Sequence, residues 1–128
     1  MRLLLDTHAL LWFALIDQQL STAAMALIMD TGNEKLVSPA SYWETAIKIS
    51  TKKYTLAQPF EVFMNQAIDK NGFGYLHILP KHTAVLTSLP FHHKDPFDRL
   101  LVAQALAENV SIVSNDPVLD AYGITRLW

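Results

Sequence analysis

Leu3-Leu4-Leu5-Asp6-Thr7-His8-Ala9-Leu10-Leu11-Trp12 is the stretch that decides the fold class. The leucines form a short apolar run that reads as a buried strand, Asp6-Thr7 ends it, and the run Ala9 to Ile16 reads as a largely buried helix. The same alternation continues along the chain. Ser21-Thr22 offers a cap for a helix over Ala23 to Asp30, with Gly32 as its stop, and Lys35 to Val37 reads as a second strand. Ser38-Pro39-Ala40-Ser41 opens a helix that carries Trp43, Ala46, Ile47 and Ile49 to about Lys53. Pro59 starts another through Phe60, Phe63, Met64, Ala67 and Ile68, which Asn71-Gly72 closes.

Tyr75 to Ile78 reads as the third strand, and Pro80 leads into a short helix near His82 to Thr87. Asp95-Pro96 begins a strongly apolar helix through Ala107, Ser111 to Val113 is the fourth strand, and Thr125 to Leu127 a short fifth at the edge. Strands alternating with helices throughout predict an α/β fold, one parallel sheet of four to five strands covered by helices on both faces. No repeat, linker or low-complexity tract interrupts residues 1–128, which predicts a single domain.

The composition removes several classes. A chain of 128 residues with 51% apolar and 17% charged residues can bury a real core and is not a disordered tail. It has no cysteine, hence no thiolate metal site and no thiol nucleophile, which fits a reducing cytoplasm. The longest unbroken apolar run, Ala9 to Ile16, is far below the ~20 residues of a spanning helix, so no membrane or targeting segment is expected. With a formal net charge of −2, contact with nucleic acid must use local groups such as Lys48, Lys52, Lys53, Lys81, Lys94 and Arg99.

The acids carry the chemistry. Asp6, Glu44 and Asp116 follow the carboxyl ends of the first, second and fourth strands, and Asp98 begins the helix that feeds the fourth. Each has a local explanation as a cap. Ser41-Tyr42-Trp43-Glu44 has capping-box spacing, while Asp95-Pro96 and Asp116-Pro117 each place an acid before a first-turn proline. Capping does not explain why all four fall along the edge where open α/β sheets bind ligands. Carboxylates gathered there repel one another unless a cation neutralises them, and hard oxygen ligands suit Mg²⁺ or Mn²⁺. The reaction class that follows is phosphodiester hydrolysis by metal-activated water.

Leu4 to Trp12, Ser38 to Lys48, Asp95 to Ala105 and Ser114-Asn115-Asp116 together resemble, in order, the PIN domain, specifically the VapC toxin ribonucleases of type II toxin-antitoxin systems. The resemblance implies a three-layer α/β/α sandwich and a Mg²⁺- or Mn²⁺-dependent endoribonuclease. It further implies a homodimer restrained by a cognate antitoxin. Carried over by position, it makes Asp6 and Asp98 direct metal ligands, with Glu44 and Asp116 ligating through water or activating the nucleophile. Asp95 is a further participant or a helix cap only; Thr7, Ser114 and Asn115 would hold the carboxylates, and Lys48, Arg99 and Lys94 would meet RNA phosphate.

A receiver domain would need adjacent acids after the first strand and a late lysine, and a haloacid-dehalogenase-type phosphatase would need Asp-x-Asp where Asp6-Thr7-His8 stands. The remaining alternative is a catalytically silent PIN-like module that binds RNA or protein. His92-His93-Lys94, just before the Asp95 helix, reads either as an approach to phosphate or as an exposed polar loop that needs no function, and His8, His77 and His82 lack the spacing of a zinc site. Trp12, Trp43, Phe60, Phe63 and Met64 read as core.

Overall fold

Leu3, Leu4 and Leu5 are wholly buried because their strand is the middle one. In a computed structural model that describes residues 1–128, β1 (Arg2–Leu5) is flanked by β2 (Glu34–Val37) and β4 (Ser111–Val113). β3 (Gly74–Tyr75) and β5 (Arg126–Leu127) form the edges. The order is β3-β2-β1-β4-β5 and every pairing is parallel. Parallel pairing requires crossovers, and the helices that supply them cover both faces.

The period-two alternation of strand side chains sorts the core into two layers. Leu3, Leu5, Val37 and Val113 point to the face covered by α1 (Thr7–Ala14), α2 (Thr22–Met29) and α4 (Phe60–Met64). A π-helical turn, Asn65–Asp69, continues α4 and adds Ala67 and Ile68 to that layer. Leu4, Leu36 and Ile112 point to the opposite face. There they meet Ala40 of α3 (Pro39–Ser50) and Leu100, Leu101, Val102 and Ala105 of α6 (Pro96–Glu108). α5 (Pro80–Leu86) packs against α6, with Val85 and Leu86 on the edge of this second layer.

Three details differ from the sequence reading. The third strand is shorter than Tyr75–Ile78: Leu76 still donates its N–H to Val37, but its carbonyl turns to the buried amide Nε2 of Gln104 at 3.0 Å and leaves the ladder. The segment after β4 coils into a 3₁₀ helix, Pro117–Tyr122, begun by Asp116 and ended by Gly123 at φ 76°, a conformation glycine adopts without steric cost. Trp43 is 57% exposed and meets only the edge of Phe97, so it lies outside the core. Trp12, Phe60, Phe63 and Met64 do belong to the first layer.

Arg99 is a fold residue, not a phosphate contact. Its side chain is buried on α6, Nη1 donates to the Pro90 carbonyl at 2.8 Å and Nη2 to that of Leu89 at 3.1 Å. Phe91 lies over the guanidinium at 3.8 Å. These contacts, with the side chain buried, turn the guanidinium to the protein rather than the solvent and strap the chain entering α6 onto that helix. Arg99→Met keeps the stem but strips the donors from two carbonyls. It is expected to lower unfolding free energy in urea by about 2–4 kcal/mol, and a change below about 0.5 kcal/mol would refute the strap.

Candidate active site

β1 leads to β2 on one side, but β4 returns to the other side of β1, so the chain reverses direction between β1 and β4. At such a switch point the loops beyond the strand ends part and leave a crevice. The crevice here has a volume of about 370 Å³ and is lined by Asp6, Glu44, Asp95, Asp98 and Asp116, together with Thr7, His8, Lys48, Ser114 and Asn115. Of the residues the sequence nominates, the acids, Thr7, Ser114, Asn115 and Lys48 line it, whereas Lys52, Lys53, Lys81, Lys94 and Arg99 do not.

Asp6 directly follows β1, and its own N–H still reaches the Val113 carbonyl at 3.2 Å, so the β1–β4 ladder fixes its backbone. Its carboxylate caps α1 by accepting from the Ala9 N–H at 2.7 Å. Burial, foremost, pushes its pKa up; hydrogen bonds from Ser114 and Ala9 and the charge of His8 oppose this, while Asp116 adds to it. Ser114 thus serves two acids, since its Oγ also accepts from the Asp116 N–H at 3.1 Å.

Glu44 is not part of a capping box. α3 starts at Pro39 with Ser38 as its N-cap, which places Glu44 a full turn further along than a box requires. Its side chain, buried on the helix face that meets α1, accepts from Thr7 Oγ1 at 2.8 Å through Oε1 and pairs with Lys48 Nζ at 3.1 Å through Oε2. Lys48, one turn on, therefore faces an acid before it faces any ligand. Asp95 is the N-cap of α6, accepting from the N–H groups of Phe97 and Asp98, and it lines the crevice as well. Asp116 caps the 3₁₀ helix through Oδ1, which accepts from Val118 at 3.0 Å. Capping and lining coincide at three acids because a helix start pins a carboxylate at the sheet edge.

Asp98 bears the cost of this crowding. Burial first, then the charges of Asp95 and Glu44, push its pKa up to about 6, with His93 opposing and Asp6 adding. No three side chains converge closely enough to grip a bare ion. The donor set suits a hydrated divalent cation, because Mg²⁺ keeps several waters and needs only one or two carboxylates. The burial and neighbouring charge that raise the pKa of Asp6 and Asp98 are what such a cation offsets.

The structure gives His93 a partner that the sequence does not indicate. Its side chain is 11% exposed, and Nε2 stands 2.6 Å from Asp116 Oδ2. Adjacent histidines in a polar loop carry no pattern that pairs one of them with an acid 23 residues later. The contact exists only because α6 and the 3₁₀ helix are brought together.

A carboxyl whose folded pKa lies above its usual 3.8 is bound more tightly to its proton in the native state, so ionising it costs stability. That cost is absent below the unfolded value and complete above about 6. Asp98→Asn removes it. In EDTA at pH 7 the variant is expected to melt about 4 °C higher, from roughly 1 kcal/mol after solvent screening, with the difference shrinking toward pH 4. Equal melting at both pH values would refute the crowding.

The sequence model of the PIN domain matches residues 3–124. Ribonuclease VapC22 of Mycobacterium tuberculosis is 30% identical over 114 residues, 88% of this chain and 85% of that protein. Among solved structures, VapBC2 from Rickettsia felis, bound to a DNA fragment from its promoter, aligns with a TM-score of 0.69 at 14% identity, covering 99% of this chain and 98% of that one. VapBC-1 from nontypeable Haemophilus influenzae aligns with a TM-score of 0.63 at 14% identity, covering 99% and 97%. With the parallel sheet, the acidic crevice and a match across nearly the whole sequence, the chain belongs to the PIN domain family and is of the VapC type.

Proposed function

We propose that this protein is a Mg²⁺- or Mn²⁺-dependent endoribonuclease, the toxin of a type II toxin-antitoxin pair, which cuts RNA by hydrolysis of phosphodiester bonds. The observation that carries the reading is the gathering of Asp6, Glu44, Asp95, Asp98 and Asp116 around one crevice, where burial and mutual repulsion hold Asp98 near a pKa of about 6. The similarity to a protein named as a ribonuclease supports the substrate class. Asp6 and Asp98 are the residues that would hold the cation. Such an ion lowers the pKa of a bound water and neutralises charge on the scissile phosphate.

The chain's own residues do the rest. Thr7 fixes one oxygen of Glu44, so that the carboxylate stays aimed at the crevice as a proton acceptor. Ser114 ties Asp6 to the Asp116 backbone and keeps the two acids in register. Lys48 sits at the lining, with its ammonium available to a phosphate oxygen. The similarity to VapBC assemblies supports an antitoxin as partner. A second, more open groove of about 430 Å³, lined in part by Tyr42, Phe60, Met64, Ile68 and Tyr75, offers apolar surface for it or for a second copy in a homodimer. No helix is long and apolar enough to cross a membrane; with the absence of cysteine, a cytoplasmic site of action is part of the proposal.

The deciding experiment is induced expression in a bacterial host of wild type and Asp6→Asn, with new RNA 5′ ends mapped across the transcriptome. Growth arrest with discrete new ends in the wild type alone is the expected result. Arrest and new ends in neither, with both proteins folded, would favour the silent binding module. Glu44→Gln is expected to keep the fold and lose cleavage by about 10²-fold or more, as removal of a general base does; undiminished turnover would take Glu44 out of the chemistry.

A further inference from the structure

The loop between α5 and α6 is held far more firmly than a polar connection requires. Arg99 grips the Leu89 and Pro90 carbonyls, and Asp95 caps α6 at the other end. Between these anchors the His93 N–H donates to Tyr122 Oη at 2.8 Å, and the two rings stack 5.5 Å apart at 15°. Tyr122 Oη also lies 3.1 Å from His93 Nδ1, while Nε2 is 2.6 Å from Asp116 Oδ2.

For a neutral imidazole the hydrogens in this chain have one consistent arrangement. An ionised carboxylate accepts only, so Nε2 carries the proton. A neutral imidazole then leaves Nδ1 as an acceptor, and the Tyr122 hydroxyl, whose oxygen already accepts the His93 N–H, donates its single hydrogen there. With Oδ1 of Asp116 held by the Val118 N–H, both carboxylate oxygens are engaged from behind and the remaining lone pairs are left for the crevice.

We propose that His93 is a positioning residue for Asp116: locked as the Nε2–H tautomer by Tyr122, it donates to Oδ2 and fixes the rotation of a carboxylate that serves the cation. This rests on the metal-dependent reading above. Partners that orient a ligating carboxylate are worth about 10–100-fold in metal affinity.

The test is Mn²⁺ binding by calorimetry to purified wild type, His93→Ala, His93→Gln, Tyr122→Phe, Asp116→Asn and the double variant His93→Ala/Asp116→Asn, with RNA cleavage measured in parallel. His93→Ala is expected to weaken Mn²⁺ binding about 10-fold or more, and His93→Gln, which keeps an N–H donor, to lose less. Tyr122→Phe should shift affinity in the same direction by a smaller factor. The double variant should bind no more weakly than Asp116→Asn alone, since a residue acting through Asp116 has nothing left to act on. Long-range ¹⁵N NMR of the metal-free wild type should show His93 protonated at Nε2 only, a readout that stands even where the alanine variant fails to fold.

Wild-type Mn²⁺ affinity in folded His93→Ala, losses that multiply in the double variant, or an Nδ1–H tautomer would each overturn the proposal. So would a raised KM for RNA with Mn²⁺ affinity unchanged, which would make His93 a phosphate contact. Mn²⁺ binding by wild type without cleavage of any RNA would overturn the ribonuclease reading alone, and the Mn²⁺ affinities would still decide the role of His93. No Mn²⁺ binding by wild type would overturn both.

Discussion

Mutual repulsion among carboxylates held out of bulk water is the constraint on which the rest of this structure depends. Asp6 and Glu44 are buried, Asp98 is half-buried, and Asp95 and Asp116 stand beside them. Ionised groups repel strongly where water is scarce, and burial first, with the charges of Asp95 and Glu44 added, raises the pKa of Asp98. A chain left to minimise that energy would let the acids splay into solvent. This is opposed by tethers on four of them: backbone N–H groups hold Asp6, Asp95 and Asp116, and the side chains of Thr7 and Lys48 hold Glu44.

The tethers are short and polar. Ala9, Phe97, Asp98 and Val118 donate backbone N–H groups, while Thr7 and Ser114 contribute hydroxyls and Lys48 an ammonium. Helix N-termini suit this work because their first N–H groups lack partners within the helix and their dipoles favour negative charge. The sheet places the helix starts; the helix starts place the acids. This is why a cap and a ligand-facing role coincide in the same residue, a coincidence that makes each acid look ordinary when read alone.

A second set of contacts holds the elements that bring Asp116 into range. Arg99 straps the loop before α6, Tyr122 receives that loop's N–H, and His93 reaches Asp116. Arg99 and His93 lie outside the 3₁₀ helix that Asp116 begins, and Tyr122 closes that helix. Asp116 is therefore held through contacts between the 3₁₀ helix and the loop before α6, the loop that Arg99 straps.

Much of the fold was legible in the chain because hydrophobic period reports burial directly. The short apolar runs Leu3–Leu5 and Ile112-Val113 signal strands covered on both faces, and the Pro-initiated helices at Pro39, Pro80 and Pro96 begin where the residues indicate. The end of β3 was not legible, because it depends on Gln104, a residue 28 positions from the carbonyl it takes. The acids of the crevice were legible as a set through their positions at strand ends and helix starts, whereas the capping-box spacing of Ser41 and Glu44 misled because the same spacing recurs inside a helix that Ser38-Pro39 has already begun. By itself the sequence determined which segments become strands and helices and which acids stand at their junctions, since those follow from local period and backbone chemistry. Only the tertiary structure decided that Arg99 faces inward, that Trp43 faces outward and that His93 meets Asp116, because each depends on which distant surfaces the folded chain presses together.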